Sequence, residues 1–287
     1  MEITVSEQRV FLLTSALSPE QAREKAWDHK MVAFGSLSRL LLRPKGDEIT
    51  VAAIEKRFHP VWHAAARRRI VFDRGREYRV PVADAAVRAV TVGSTDYPVA
   101  AGPPPHFIIR GIEHCEDDAR RESVVDGVSG EELQPSRGLA GPREEVVDLA
   151  GFAPADAVVV SPEVKASTVV QRLVQGLMTP YEADQIFEES IDVEFLHLLY
   201  RPVYAFEYAW EARGKRGVVE LDGVTGEARA GGTGLQQQMR RIFNRDVLFD
   251  LGAESVNLIL PGGAIPLKIG RAIIDRKRGK GEAGGNR

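Results

Sequence analysis

Residues 200–210, YRPVYAFEYAW, carry an aromatic residue or proline at every even position. The odd positions hold arginine, valine, alanine and glutamate, so the two sets alternate with a period of two. This period is typical of a β-strand with one buried face, because successive side chains point to opposite sides of a sheet. The following ARGKRG predicts a turn, and VVELDG predicts the returning strand.

An earlier stretch of the chain is similar to this one. Residues 57–72, RFHPVWHAAARRRIVF, align with LYRPVYAFEYAWEARG when Pro60 is set against Pro202. Two Ser-Pro-Glu triplets, which start at Ser18 and Ser161, lie almost the same distance apart as these two prolines. Two matches at nearly one offset predict a duplicated unit in which a helix is followed by strands.

Each Ser-Pro-Glu triplet predicts the start of a helix. Serine accepts hydrogen bonds from free backbone N–H groups, proline suits the first helical position, and glutamate complements the positive end of the helix dipole. Ser18 and Gln21 also have the spacing of a capping box. The apolar face of the second helix comprises Val169, Val170, Leu173, Val174, Leu177 and Met178. Thr179 and Glu182, in TPYEADQIFEE, predict that a helix restarts there.

The first copy is expected to form a hairpin of its own. Its strand should turn at FDRGRE, from Phe72, and return through residues 78–82. Two further stretches, VVDGVSGEEL from Val124 and VELDGVTGEAR from Val219, each place Asp-Gly before a later Gly-Glu. Asp-Gly at the end of a strand is typical of turns.

Together these patterns predict an α+β protein with two related halves, each an antiparallel β-sheet packed by an α-helix. A β-rich insert and a helical C-terminal section complete the predicted fold. The first repeat with its β-rich extension is predicted over residues 1–133, a linker region over 134–156, and the second repeat over 157–232. Residues 233–287 are predicted to form the helical section, with a helix at 235–244 and a basic flexible tail.

Composition limits the class of protein. The 287 residues are 44% hydrophobic, which is enough for one or two globular domains with a buried core. A net charge of −3 provides no overall attraction to nucleic acid. The single cysteine, Cys115, excludes an internal disulfide and fits a reducing compartment. No apolar run reaches the ~18 residues of a membrane span, and the basic start of a signal peptide is missing, so we expect a cytoplasmic protein.

The second repeat resembles a known module. It combines a Tyr-x-Pro-Val-Tyr strand, a Gly-Lys turn and a strand that ends in Asp-Gly-x-Thr-Gly-Glu. The residues that carry the resemblance are Tyr200, Pro202, Val203, Tyr204, Gly214, Lys215, Asp222, Gly223, Thr225, Gly226 and Glu227. They are similar to the small PepSY-like α+β units of bacterial and archaeal proteins. The resemblance covers about a tenth of the chain. It implies an antiparallel sheet packed on a helix, a binding or regulatory role, and no catalytic residue.

A basic surface is predicted on the first copy. The candidate residues for binding an anion or a partner are His59, His63, Arg67, Arg68, Arg69, Arg74, Arg76 and Arg79. Arginine binds phosphate and carboxylate groups in a bidentate manner, so this surface suits nucleic acid, another anionic ligand or an acidic partner. The alternative is a solvated edge strand whose charges prevent unwanted pairing.

The histidines and the cysteine raise the question of a metal site. On a strand that rises ~3.3 Å per residue, His59 and His63 lie about 13 Å apart, too far to share a zinc ion with bonds of ~2.0–2.1 Å. His106, His114 and Cys115 are weaker metal candidates, because their spacing matches no compact site and neighbours on a strand point in opposite directions. We therefore predict no metal and no cofactor.

The C-terminal tail is a second candidate contact surface. Its basic residues are Lys268, Arg271, Arg276, Lys277, Arg278 and Lys280. A basic segment after an apolar stretch suits docking to a protein or peripheral contact with a membrane surface. The alternative is a terminus that only promotes solubility.

We predict a non-enzymatic binding or scaffolding protein that engages a protein partner or a second copy of itself. The contact surfaces would be sheet faces and the basic tail. A nucleic-acid or anionic-ligand binder that uses the arginine-rich hairpin is the alternative. A hydrolase is a second alternative, because catalytic residues can be dispersed along a chain even where no Ser-His-Asp set, paired carboxylates or nucleotide motif is evident.

Overall fold

The computed structural model describes residues 2–5, 8–34, 48–134, 139, 141–148, 152, 154, 156–231, 258–260 and 263–265. Within these residues, strands account for 57% and helices for 16%. The described strands are β1 (Glu2–Val5), β2 (Gln8–Leu13), β3 (Ile49–Pro81), β4 (Ala89–Val92), β5 (Thr95–Pro98), β6 (His106–Asp126), β7 (Glu132–Leu133), β8 (Arg143–Glu145), β9 (Val158–Val159), β10 (Gln185–Trp210), β11 (Lys215–Asp222), β12 (Ala228–Ala230), β13 (Leu258–Leu260) and β14 (Gly263–Ile265). The described α-helices are α1 (Pro19–Asp28) and α2 (Ala166–Leu177).

Ten of the described strands form one mixed sheet, whose main path runs in the order β12-β11-β10-β3-β6-β7. The three long strands β10, β3 and β6 are antiparallel neighbours and form its centre. β1 and β2 pair in parallel with residues 190–200 of β10. β11 pairs with the same edge of β10 at residues 203–210. β8 pairs with β2, and β9 pairs with β3. The remaining strands form two separate hairpins, β4–β5 and β13–β14.

The two helices cover the same face of β10. Even-numbered side chains of residues 196–200 pack with α2. Even-numbered side chains of residues 204–210 pack with Ala22 and Ala26 of α1, which are fully buried. Each large apolar side chain that is fully buried contributes about 1.5–3 kcal/mol, so the aromatic period-two pattern places most of the core on this one face.

The prediction of an α+β protein with two related halves is wrong. The two aromatic stretches do not form separate sheets, since β10 pairs directly with β3, with Tyr200 opposite Pro60 and Pro202 opposite Phe58. Both strands are apolar on the face beneath the helices, so pairing them buries one continuous apolar surface. The predicted helical C-terminal section is also wrong: its described part is the β13–β14 hairpin. Residues 235–244 lie outside the described residues.

The predicted turn at FDRGRE is also wrong. β3 continues without a break to Pro81, and its returning neighbour is β6 instead of residues 78–82. Arg74 lies directly opposite Glu113 in this pairing. Cross-strand pairs of opposite charge contribute roughly 0.2–1 kcal/mol each, which favours an extended chain through Gly75 over a turn there.

The first predicted helix start is confirmed. Ser18 is the N-cap of α1: its hydroxyl accepts from the Gln21 backbone N–H, and the Gln21 side chain accepts from the Ser18 N–H. The apolar face predicted for the second helix is confirmed as well, except that Met178 is the C-cap and is only partly buried. Its buried residues are Ala166, Val169, Val170, Leu173, Val174 and Leu177.

The second helix begins later than the Ser-Pro-Glu triplet predicts. Ser161 precedes a segment that is held by the turn after β6, because the N–H groups of Glu163 and Val164 both donate to the carbonyl oxygen of Gly127. The helix therefore begins at Ala166, with no side-chain cap. The prediction that a helix restarts at TPYEADQIFEE is wrong, since the chain enters β10 there.

The two predicted Asp-Gly turns have the same hydrogen-bond pattern. Asp126 and Asp222 each accept, through Oδ1, the backbone N–H groups two and three residues farther on. Gly130 and Gly226 adopt positive φ angles of 76° and 74°, a conformation that is easily reached only without a Cβ atom. The first turn follows β6 and the second follows β11.

Candidate functional site

The predicted basic stretch of β3 lies beside an acidic stretch of β6. Arg67 Nε donates to Asp118 Oδ1 at 2.7 Å, and Arg69 Nε donates to Glu116 Oε1 at 2.9 Å. The hydrogen bond from Arg67 lowers the pKa of Asp118, so this carboxylate stays ionised. Arg69 also binds Glu188 of β10, with 3.1 Å from Nη1 to Oε2.

The arginines farther along β3 are also largely paired. Arg74 Nε lies 2.5 Å from Glu113 Oε2, and Arg76 Nη2 lies 2.9 Å from Glu182 Oε2. Arg79 is exposed and forms no ion pair within the described residues. Most of the positive charge expected on this strand is therefore neutralised by carboxylates of the same chain.

Arg68 points to the other side of the sheet and is 2% exposed. Its Nη2 donates to Asp117, while Nε and Nη1 find no acceptor among the residues that the structure describes. A surface ligand cannot reach a guanidinium this deeply buried without a rearrangement of the chain above it.

Both histidines of FHPVWH bind carboxylates. His59 Nε2 lies 2.7 Å from Asp126 Oδ2, and His63 Nε2 lies 2.7 Å from Glu122 Oε1. Burial raises the pKa of Asp126, but the hydrogen bonds from His59 and from two backbone N–H groups outweigh this effect and hold the pKa well below its usual range. The His63 hydrogen bond lowers the pKa of Glu122.

The weaker metal candidates do not converge. His114 Nδ1 lies 2.7 Å from Asp73 Oδ1, Cys115 Sγ contacts the Glu113 carbonyl oxygen, and His106 lies at the start of β6. In the described part of the chain, no group of three or more histidine, cysteine or acidic residues has the geometry of a metal site.

Among the strands that the structure describes, β6 has a long edge that is mostly unpaired. β6 pairs with β3 along its inner edge, whereas its outer edge pairs with β7 only at Val124 and Val125. The backbone of His106 is bonded to Ala100, and no described strand lies against the outer edge from Phe107 to Ser123. An unpaired edge of this length presents a row of free N–H and C=O groups, which is a template for another strand.

The open edge continues into an arm. β3 pairs with β10 only as far as Asp73, but β6 accompanies β3 to its end at Pro81. Residues 74–81 and 106–113 therefore extend beyond β10 as a two-stranded ribbon, and the β4–β5 hairpin lies in the connection at its tip. Tyr78 and Ile112 on this ribbon are 45% and 66% exposed.

Sequence reasoning did not identify the outer edge of β6. The sequence predicted only that the insert is β-rich, whereas residues 106–126 of it form one continuous strand. The signal that points to β6 is the acidic run 116–118, which has the correct charge to lie beside the basic run 67–69.

The basic residues proposed for the C-terminal tail, from Lys268 to Lys280, lie outside the described residues.

In comparisons with known proteins, no family model, curated protein or solved structure matches the chain. The PepSY-like resemblance stays a prediction. None of the described helices is long and apolar enough to span a membrane.

Proposed function

We propose that this protein is a binding or scaffolding protein, that its contact surface is the outer edge of β6, and that this edge pairs with a second copy of the chain. The observation that carries the proposal is the edge from Phe107 to Ser123, against which no described strand lies. Addition of a strand to such an edge is a common mode of protein recognition, because main-chain hydrogen bonds supply affinity at every second residue.

The charge pattern of this edge is self-complementary. Antiparallel pairing of two β6 strands about a twofold axis at Ala119 sets Asp118 opposite Arg120 and Asp117 opposite Arg121 of the other copy. The symmetry repeats both contacts, and opposite charges on directly paired residues are favourable.

This register also has an unfavourable contact. Glu116 faces Glu122 of the other copy, but Glu122 already binds His63 and Arg120 of its own chain. Its charge is therefore partly neutralised before the two strands meet. The charged residues of the favourable contacts are partly neutralised in the same way, because they bind Arg67, Arg68, Glu194 and Glu132 of their own chain. The four favourable contacts at the centre outnumber the two unfavourable ones.

The nucleic-acid alternative receives less support. A protein binds phosphates through basic groups that release counterions, but the arginines of β3 are largely occupied by carboxylates of β6 and β10. The cytoplasmic location stays a proposal, with which the single cysteine is compatible. The basic tail as a docking segment or a membrane contact is a separate proposal.

A charge reversal at the centre of the edge tests the proposed assembly. The wild-type protein is expected to have twice the chain mass by size-exclusion chromatography with light scattering. Asp118→Arg sets arginine opposite Arg120 of the other copy, so we expect the variant to be monomeric at the same concentration. Adding Arg120→Asp restores opposite charges and is expected to restore the dimer.

A matched control separates this effect from the loss of an ion pair within the chain. Glu188 binds Arg69 as Asp118 binds Arg67, but it lies on β10 and away from the outer edge of β6. Glu188→Arg is therefore expected to leave the dimer intact. A wild-type monomer, or equal dissociation of both single variants, would contradict the proposal.

A further inference from the structure

A small cavity lies on the face of the sheet opposite the two helices. Its volume is about 80 Å³, and it is lined by Arg57, His59, Val160, Val203, Glu220 and Arg229. A cavity of ~10–15 Å³ holds one water molecule, so this one has room for a group of several heavy atoms. It lies apart from the outer edge of β6 and depends on different residues.

Arg57 is the central feature of this cavity. The residue is 8% exposed, its Nε donates to Glu55, and its Nη1 lies 3.3 Å from Glu220 Oε1. Nη2 is shielded from solvent and has no hydrogen-bond partner among the described residues. A buried cationic donor without an acceptor is unfavourable, because it has lost its hydration without gaining a hydrogen bond.

The charges around Arg57 are balanced before any ligand binds. Glu220 accepts from Arg57 through Oε1 and from Arg229 through Oε2, at 3.0 Å from Arg229 Nε. Glu55 balances the second positive charge. An entering anion therefore adds one uncompensated negative charge unless a proton accompanies it.

His59 is placed to take up this proton. Its Nε2 is bound to Asp126, and Nδ1 makes no hydrogen bond within the described part of the chain. Protonation of Nδ1 adds both a positive charge and an N–H donor to the wall of the cavity. The other charged group beside His59 is Arg201, which lies opposite it on β10 and is bound to Asp222 at 2.6 Å.

We propose that Arg57, Arg229 and His59 form a binding site for a small oxyanion of the size of sulfate or phosphate. The anion accepts a hydrogen bond from Arg57 Nη2, and His59 takes up a proton when it binds. Tetrahedral oxyanions suit the site because they offer several acceptor oxygens to donors on different strands.

Equilibrium dialysis with radiolabelled sulfate tests the site directly, at constant ionic strength maintained with chloride. Sulfate does not titrate near neutral pH, so any change in its affinity reports on the protein. We expect saturable binding of one sulfate per chain, with an affinity that rises as the pH falls, because binding is accompanied by proton uptake. Unlabelled phosphate is expected to compete, and chloride is not.

Three variants identify the residues that hold the anion. Arg229→Gln removes a charged donor and is expected to weaken sulfate binding at least tenfold. His59→Asn is expected to abolish the pH dependence. Arg57→Gln is expected to abolish binding, and if this variant does not fold, the other two suffice to test the site.

Arg216→Gln provides the matched control. Arg216 lies on β11, binds Glu207 and does not line the cavity, so its loss is expected to leave sulfate affinity unchanged. Absence of saturable binding would overturn the proposal. So would sulfate binding that neither Arg229→Gln nor His59→Asn alters.

Discussion

Trp62→Ala is expected to lower the free energy of unfolding by about 3–5 kcal/mol, because the substitution empties a large site in a closely packed core. Trp62 is fully buried beneath α2. Its indole N–H donates to the Val164 carbonyl oxygen at 2.9 Å, so the substitution also leaves a buried acceptor with one partner fewer. The free energy of unfolding of a folded protein is usually about 5–15 kcal/mol, so the variant would lose a large part of its stability.

Urea unfolding followed by circular dichroism measures this loss. Trp27→Ala is the matched control, since Trp27 lies on α1 with 38% of its surface exposed. The centre of its ring is 6.1 Å from that of Tyr208. We expect its cost to be well under half that of Trp62→Ala. Equal costs for the two variants would show that the α2 face of the sheet is not the principal core.

Asp126→Asn is expected to lower the free energy of unfolding by about 1.5–3 kcal/mol at neutral pH, the usual value for hydrogen bonds to a charged group. The Asn side chain keeps the bonds from the following N–H groups through its oxygen, but its amide N–H₂ then faces His59 Nε2 where a carboxylate oxygen was. Asp126 is 8% exposed, so solvent cannot replace the lost interaction.

The cost of Asp126→Asn should depend on pH in a defined direction. The pKa of Asp126 is lowered in the folded protein, so its stabilising contribution is complete above the unfolded value near ~3.9 and is lost as the pH falls from there toward the folded pKa. The difference between wild type and variant should therefore shrink as the pH falls below about 4.

Asp156→Asn provides the comparison for this experiment. The Asp156 carboxylate binds Lys56 at 2.9 Å but is 70% exposed, and such surface pairs contribute about 0–1 kcal/mol. A loss for Asp126→Asn that is no larger than this, or that grows toward acid pH, would contradict the role assigned to the His59–Asp126 pair.

Local features of the fold could be predicted where neighbouring residues decide the structure. The capping box at Ser18, the returning strand β11 and the buried face of α2 depend on contacts within a few residues, and all three were recognised from spacing alone. The Asp-Gly turns belong to the same group, because their hydrogen bonds also connect near neighbours.

Long-range pairing could not be predicted in the same way. FDRGRE has the residues of a turn, yet β3 passes straight through it because β6 supplies a complementary strand more than thirty residues farther along. Likewise the pairing of β3 with β10 depends on two segments that a local pattern treats as independent units. Local propensity is overridden when tertiary contacts of this extent form.

The candidate sites show the same division. His59 and the β3 arginines were recognised by residue type, but their partners on β6 were not. These carboxylates neutralise the positive charge of the β3 arginines. Arg57 gave no sequence signal, since only the folded sheet brings it beside Glu220 and Arg229. The open edge of β6 is likewise a property of the strand order.

A cysteine at the proposed twofold axis tests the central claim most directly. Ala119→Cys, in a Cys115→Ser background, sets two thiols opposite each other across the axis, at a Cα separation that a disulfide can span, typically ~4.4–6.8 Å. We predict a disulfide-linked dimer under mild oxidation on a non-reducing gel. Ser94→Cys in the same background, exposed in the turn of the β4–β5 hairpin, should remain monomeric on that gel. Failure of the Ala119→Cys variant to cross-link, or equal cross-linking of both variants, would show that the edge of β6 is not the surface on which two copies meet.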